Sequence, residues 1–126
     1  MTANSSAICT DLHRFGSIAV DGYHPKGRLI ADAAGCIYGV TEHYTANGHG
    51  TVFKLTPNGA SYNYQILHVF GVSSGDGTRP MGGLAIDESG TLYGTTAGGG
   101  SGYVGNVFQL TPDGNGYAYK IVYQFT

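Results

Sequence analysis

Apolar and polar residues alternate over short stretches of this chain, and no window carries the sustained i, i+3, i+4 spacing of an amphipathic helix. Residues 51–56 and 106–111 alternate as half-buried strands do. Glycine-rich and proline-containing turns bound these and the other short apolar stretches. The pattern therefore predicts an all-β chain of short antiparallel strands. The remaining predicted strands lie at residues 27–32, 36–41 and 62–70, and again at 82–87, 91–96 and 117–125.

The predicted strands recur at a fixed spacing of 55 residues. Residues 11–65 and 66–120 align without a gap, and Phe15, Phe70 and Phe125 hold equivalent positions. A period of this length is typical of solenoids, propellers and repeat arrays. Four antiparallel strands per unit form one blade of a β-propeller, and stacked blades bury the faces that a single sheet leaves open. A β-sandwich or another solenoid is the alternative, although a sandwich does not require a repeat in register.

Two complete blades are too few for a ring, because propellers close with roughly 4–8 blades. The chain is therefore predicted to be a fragment or a homo-oligomer, in which three or four chains share one ring head to tail. We assign residues 1–10 to an N-terminal arm and residues 11–126 to a two-blade unit that ends in an extra strand at 121–125. The sequence of strand four also occurs at residues 12–15, so an extra copy could pair with a neighbouring chain.

Composition narrows the partners of this chain of 126 residues. Charged residues make up 11 %, the net charge is -2 and Lys and Arg form no cluster, so we expect neither nucleic acid nor an anionic membrane surface as partner. No apolar stretch approaches the roughly 20 residues of a membrane span, and the N-terminus does not read as a signal peptide. Cys9 and Cys36 are expected to be free thiols. A bridge between them requires the N-terminal segment to fold back within disulfide reach.

Positions that differ between the two units are where we look for chemistry, because shared positions are explained by the blade. His24 stands where the second unit has Arg79, and the loop at 42–49 differs from the loop at 97–104. Imidazoles and a carboxylate from His24, Glu42, His43 and His49 are suitable ligands for zinc or a similar ion, or for acid–base chemistry. A solvated polar loop is the alternative. The predicted ligand-binding residues are His24, Glu42, His43, Tyr44, His49, Arg79 and Tyr103.

Some polar residues are shared by both units. Asp21 and Asp76 could supply oxygen ligands to Ca²⁺, or they could cap the backbone amides of turns. We favour the second interpretation. Structural roles are also expected for the other shared polar and aromatic positions, which are His13, His68, Asp32, Asp87, Tyr38 and Tyr93.

The shared residues resemble a known family. Each unit carries an Asp-Gly pair, a proline, a Tyr-Gly-x-Thr sequence at 38–41 or 93–96, and a Val-Phe-x-Leu-Thr-Pro sequence at 52–57 or 107–112. Across residues 11–125 this pattern resembles the GloVer tandem repeats of bacterial proteins. The resemblance implies a propeller, in secreted or surface-anchored proteins, and no family-wide catalytic residue. The unit is more loosely similar to NHL-type and gluconolactonase-type propellers.

Three functions are compatible with these observations. The first is a module that binds carbohydrate or peptide ligands, for which repeated Tyr, Asn, Asp and Gly in loops are suited and a ring of sites would add avidity. The second, implied by the gluconolactonase similarity, is a hydrolase of lactones or esters that uses a divalent cation, Ca²⁺ or Zn²⁺. The third is a structural module without a site. We expect the first, and whether the protein is an enzyme stays open.

Overall fold

A computed structural model describes residues 9–100 and 102–126, which form strands and no helix. The prediction of an all-β chain is therefore confirmed for the described residues. The same residues contain no helix of the length and apolar character that crossing a membrane requires. The strands are β1 (Gly22–Ala31), β2 (Ile37–Tyr44), β3 (Thr51–Asn58), β4 (Ser61–Val69), β5 (Gly77–Pro80), β6 (Ala85–Ile86), β7 (Leu92–Gly99), β8 (Asn106–Asp113) and β9 (Gly116–Gln124).

The strands form two antiparallel sheets, one from each sequence unit. The first sheet has the order β1-β2-β3-β4. The second has the order β5-β7-β8-β9, with β6 also paired to β7, so that β5 and β6 together take the place of β1. Each sheet is thus an antiparallel meander, if β5 and β6 are counted as one interrupted first strand.

Tight turns join the strands as the sequence predicts. In the turn between β1 and β2, Asp32 Oδ1 accepts hydrogen bonds from the amides of Ala34 and Cys36, both at 3.0 Å. Gly35 has a φ of 86°, which a residue with a side chain rarely adopts. Asp87 makes the equivalent bonds in the second sheet. The structural role predicted for these two aspartates is confirmed.

The strand boundaries depart from the prediction at one end of each unit. Strand β1 begins at Gly22 instead of residue 27, and β2 continues to Tyr44 instead of ending at 41. A register shift between Lys26 and Ile30 interrupts β1. Its apolar and polar residues therefore do not alternate evenly, and the sequence pattern does not predict a strand at residues 22–26. His24 therefore lies in a strand.

Residues 12–15 form no strand within the chain. Pairing of this copy of strand four with a neighbouring chain stays a prediction. Phe15 nevertheless packs on Phe53, with ring centroids 5.0 Å apart. The equivalent Phe70 packs on Phe108 at the same distance. The segment therefore supplies side chains to the first sheet without joining its hydrogen-bond ladder.

Each sheet has two faces, which we name by the residues of its central strands. The A face carries Phe53 and Leu55 in the first sheet, and the B face carries Tyr38, Val40 and Val52. Equivalent residues 55 positions later form the A and B faces of the second sheet. The B face of the first sheet packs against the A face of the second. The resulting core contains Cys36, Tyr38, Val40, Val52, Phe70, Leu84, Leu92, Phe108 and Leu110.

The first strands of the two sheets meet backbone to backbone. A Cβ atom placed on Gly27 would lie 2.7 Å from the backbone of Gly82, the residue one period later. Gly27 also has a φ of 73°, so only glycine fits this approach without strain. Two residues at equivalent positions of the two units are therefore in direct contact where the first strands meet.

Candidate functional site

Three of the predicted site residues from the first sheet meet one from the second at the junction of the sheets. His24 lies in β1, Glu42 and His43 lie at the end of β2, and Arg79 lies in β5. One ligand atom from each of His24, Glu42 and His43 lies within 4.8 Å of the others. Arg79 Nη2 donates a hydrogen bond to Glu42 Oε2 at 3.0 Å. We call these residues and Lys26 the junction cluster.

Glu42 is the centre of this cluster. Its side chain is only 11 % exposed, and Lys26 Nζ and His43 Nε2 lie 3.8 and 3.7 Å from its Oε1. The hydrogen bond from Arg79 lowers the pKa of Glu42, burial opposes that effect, and the charge of Lys26 lowers the pKa further. The carboxylate is therefore ionised at neutral pH. Two permanent cations face this one anion, so the cluster carries an excess of positive charge.

The cations of the cluster are accessible to a ligand. The side chains of Arg79 and Lys26 are 51 % and 45 % exposed. Tyr23 stacks on His43 with ring centroids 5.2 Å apart, and the ring of His24 meets the same imidazole edge to face at 5.1 Å. Charged donors and aromatic faces therefore occur together on one surface.

The backbone of this surface is strained at equivalent positions of the two units. His24 and Arg79 each have a φ of 57°, in the left-handed region that residues with a side chain rarely occupy. Both precede a proline, which restricts their conformation further. Because the conformation recurs in both units, it belongs to the irregular first strand of the sheet. Its effect is to place one exposed side chain, which differs between the units, in the first strand of each unit.

The side chains of the remaining predicted residues lie outside the cluster, although the His49 carbonyl accepts a hydrogen bond from the Arg79 amide at 2.8 Å. His49 and Tyr103 line a different depression of about 490 Å³ together with Gly71 and Thr78 of the second unit. Tyr44 ends β2, where it pairs with Gly22, and its carbonyl accepts a hydrogen bond from the Gly48 amide. The structure thus brings four of the seven predicted ligand-binding residues together and separates three from them.

Lys26 is a member of the cluster that the sequence reasoning missed. It stands where the second unit has Met81, so it breaks the repeat in the same way as His24 does. A consistent search for positions that differ between the units would have found it. Its 3.8 Å approach to Glu42 depends on the pairing of β1 with β2.

Asp21 and Asp76 are buried, and each carboxylate is enclosed by donors. Asp21 accepts hydrogen bonds from His13, Tyr64 and the amides of Gly16 and Gly22, at 2.6 to 2.9 Å. The imidazole of His13 also stacks on the Tyr64 ring at 3.6 Å. With both oxygens engaged twice, this geometry favours the capping interpretation over Ca²⁺ binding.

The same arrangement recurs around Asp76 and connects the two sheets. His68 in β4 bonds to Asp76 Oδ2 at 3.0 Å, and Tyr119 in β9 donates to Oδ1. Burial raises the pKa of Asp76, but the hydrogen bonds from His68 and Tyr119 outweigh it and hold the pKa below the usual value. Burial and the bond to Asp76 raise the pKa of Tyr119. A residue of the first sheet thus helps to hold the start of the second.

Comparison with protein families matches residues 1–126 of this chain to the Gloeobacter/Verrucomicrobia repeat. The chain belongs to the Gloeobacter/Verrucomicrobia repeat family. The resemblance to GloVer-type repeats is therefore confirmed. No curated protein and no solved structure matches the chain. The family description names a repeat and no activity, so evidence on function comes from the site itself.

In this Gloeobacter/Verrucomicrobia repeat chain, residues that are the same in both units have a different role from residues that differ between them. The shared Asp–His–Tyr groups and turn aspartates hold each sheet together, as their hydrogen bonds show. The junction cluster is built from residues that differ between the units, with Ala97 and Gly98 standing in the second unit for Glu42 and His43. The cluster is therefore a feature of the first junction and is not required by the repeat.

Proposed function

We propose that each sheet is one blade of a β-propeller and that further blades complete the ring. Three features support this proposal: the four-stranded meander, the packing of one B face on the next A face, and the close approach of the equivalent residues Gly27 and Gly82 in the first strands, as expected near a central axis. Residues 11–126 are then a two-blade unit; most of the arm predicted at residues 1–10 lies outside the described residues. Three or four copies of the chain would supply six or eight blades, within the range of roughly 4–8 found in propellers.

We further propose that the protein is a binding module whose junction cluster takes a ligand that bears a carboxylate. An acidic carbohydrate is the ligand class that we favour. The observation that carries this proposal is the pair of half-exposed cations, Arg79 and Lys26, on the single buried carboxylate of Glu42. A guanidinium has five N–H donors, so Arg79 can hold Glu42 and still offer donors to a second carboxylate. The Tyr23 ring, which stacks on His43, adds an aromatic group to the edge of the cluster.

The test is a calorimetric titration with oligogalacturonate, compared with a neutral malto-oligosaccharide and an acidic peptide. We expect binding of the acidic sugar that weakens with salt, because the interaction is between charges. Lys26→Met, which installs the residue of the second unit, and Arg79→Gln should each weaken binding about tenfold, the loss of roughly 1.4 kcal/mol. Arg14→Gln is the control, since Arg14 is exposed and paired with Asp11.

Absence of binding to all three ligands would refute the binding proposal. Equal affinity of the Arg79→Gln variant and the unchanged protein would place the site elsewhere. Tighter binding of the acidic peptide than of the sugar would retain the site and change the ligand class.

A divalent metal site is the second candidate, favoured by the grouping of His24, Glu42 and His43 within 4.8 Å. Two imidazoles and a carboxylate would leave a coordination position for water, which a metal hydrolase of lactones or esters requires. The neighbouring Arg79 and Lys26 oppose this function because their charges repel a cation. The geometry therefore supports the anionic ligand better.

Metal binding is tested by titrating the metal-free protein with Zn²⁺ or Ca²⁺ and by measuring lactone hydrolysis with and without chelator. If the candidate is right, His43→Ala abolishes high-affinity binding and His49→Ala leaves it unchanged, because His49 lies outside the cluster. Failure to bind either ion, or equal effects of the two variants, would remove it.

A further inference from the structure

The A faces of the two sheets are built alike, yet only one of them is covered by another sheet among the described residues. Leu84 on the second sheet is 7 % exposed, whereas the equivalent Leu29 on the first sheet is 56 % exposed. Both side chains lie over a glycine of the next strand, Gly94 or Gly39. The open A face forms an apolar depression of about 410 Å³ whose lining includes Leu12, Phe15, Leu29, Phe53 and Leu55.

On the B faces the difference in exposure is reversed: the B face of the first sheet is covered and that of the second sheet is open. Val40 and Val52 of the first sheet are buried against the second sheet. The equivalent residues of the second sheet are more accessible: Thr95 is exposed and Val107 is half-buried. They line a shallow depression of about 440 Å³ that also includes Tyr93. The described residues therefore leave the A face of the first sheet open at Leu29, although Phe53 and Leu55 are buried (2 % and 5 % exposed), and they leave the B face of the second sheet open. An A face and a B face of these sheets already pack on each other within the chain.

We infer that the B face of the second sheet packs on the A face of the first sheet of another copy, head to tail. The occupant is a second copy of this chain, because the junction inside the chain shows that a B face fits an A face. The inference rests on the proposed blade arrangement. Such a contact joins two different surfaces, so it repeats around an axis and produces a ring when the rotation closes.

The junction between copies differs in polarity from the junction within the chain. At the contact between copies, Ala97 of one copy and His24 of the next stand at the positions that Glu42 and Arg79 hold within the chain, so the ion pair is absent there. The hydrogen bond from Lys54 to the Tyr117 hydroxyl, at 3.2 Å, is replaced by Gln109 facing the equivalent tyrosine, Tyr62. The contact between copies consequently depends on apolar packing, and its strength should change little with salt.

The aromatic residue at the end of each unit constrains this contact. Phe15 fills the position on the first sheet that Phe70 fills on the second. Phe125 is the third equivalent residue and is 40 % exposed. In a head-to-tail contact Phe125 would approach a position already occupied by Phe15 of the next copy. Tyr123 is likewise equivalent to His13, which already bonds to Asp21 of its own copy. Residues 122–126 must therefore lie outside the contact, and the inference does not require them.

The test uses light scattering and sedimentation velocity on the full chain over a range of concentrations. We expect the chain to associate beyond its monomer mass of 13.1 kDa. Leu29→Asp on the A face and Val107→Asp on the B face should each abolish association while far-UV circular dichroism stays unchanged. Val72→Asp, an exposed apolar residue on neither face, is the matched control and should associate normally.

Mixing the two variants distinguishes this contact from a symmetric one. The Leu29→Asp chain retains an intact B face and the Val107→Asp chain retains an intact A face, so an equimolar mixture should form a dimer and no larger species. A face that binds its own copy would give no such dimer. A monomeric wild-type chain, or an unchanged assembly in either variant, would overturn the inference. Loss of association in Phe125→Ser would overturn it as well, because it would indicate strand exchange.

Failure of this inference is distinguishable from failure of the binding proposal. The junction cluster lies within one chain, so the monomeric Leu29→Asp variant should bind oligogalacturonate with unchanged affinity. A wild-type protein that stays monomeric but binds the ligand would refute only the head-to-tail contact. A protein that associates but binds none of the ligands would refute only the binding function.

Discussion

Truncation of two equivalent leucines provides the sharpest test of the packing. Leu84→Ala and Leu29→Ala remove the same atoms from the same place on two like sheets, but Leu84 is 7 % and Leu29 is 56 % exposed. Complete burial of a leucine side chain contributes about 2–3 kcal/mol, and the cavity left in a packed core adds to the loss. We therefore expect a loss of about 3 kcal/mol for Leu84→Ala. Leu29→Ala should cost about 1 kcal/mol, because half of its surface already contacts water and water fills the space.

The assay is urea unfolding at a protein concentration below the onset of association, followed by far-UV circular dichroism and tyrosine fluorescence. Tyrosine is the reporter because the chain has 10 Tyr and no Trp. The expected difference of about 2 kcal/mol should appear as a shift in midpoint at constant slope. Equal losses for the two variants would refute the reasoning, because they would mean that both A faces are covered. A loss below about 1 kcal/mol for Leu84→Ala would show that the two sheets do not pack as described.

Three further predictions concern the buried carboxylate and the thiols. Tyr119→Phe removes one of the donors to the ionised Asp76 and should cost about 1.5–2 kcal/mol in the same unfolding assay, a penalty that a neutral hydrogen bond would not reach. Because the folded pKa of Asp76 lies below its unfolded value near 3.8, its contribution to stability is complete above that pH and is lost as the pH falls through the folded pKa. Asp76→Asn should therefore flatten the dependence of the unfolding free energy on pH below about 4, and an unchanged pH dependence would contradict the assignment. Under native conditions a thiol reagent should modify the exposed Cys9 at once and the buried Cys36 only on unfolding, and rapid modification of both would contradict the described burial.

Much of the fold was readable from the sequence because the signals are local. The alternation at residues 51–56 gave β3, and the turn at Asp32 and Gly35 follows from side-chain acceptors and a left-handed glycine. The start of β1 was missed because the interruption between Lys26 and Ile30 breaks the alternation on which the assignment depended. The copy of strand four at 12–15 forms no strand within the chain. A strand needs a partner strand, and a local sequence does not reveal whether the chain itself supplies one.

The candidate site was only partly readable. Comparison of the two units selected His24, Glu42, His43 and Arg79, but the same criterion also selected His49 and Tyr103, which lie in another depression. Residues that break a repeat are distributed along the chain, and the comparison contains no information on their distances. The criterion thus found chemically variable positions without separating those that face one another.

The sequence by itself determined the repeat and the order of strands and turns within each unit. These follow from residue types and their spacing over a few positions, where the backbone has few choices. Only the tertiary structure decided which face packs on which, and that Arg79 reaches Glu42 across 37 residues of sequence. Such contacts depend on how one sheet is oriented on the next. The close approach of Gly27 to Gly82 and the packing of the whole interface set that orientation, and no local sequence pattern encodes it.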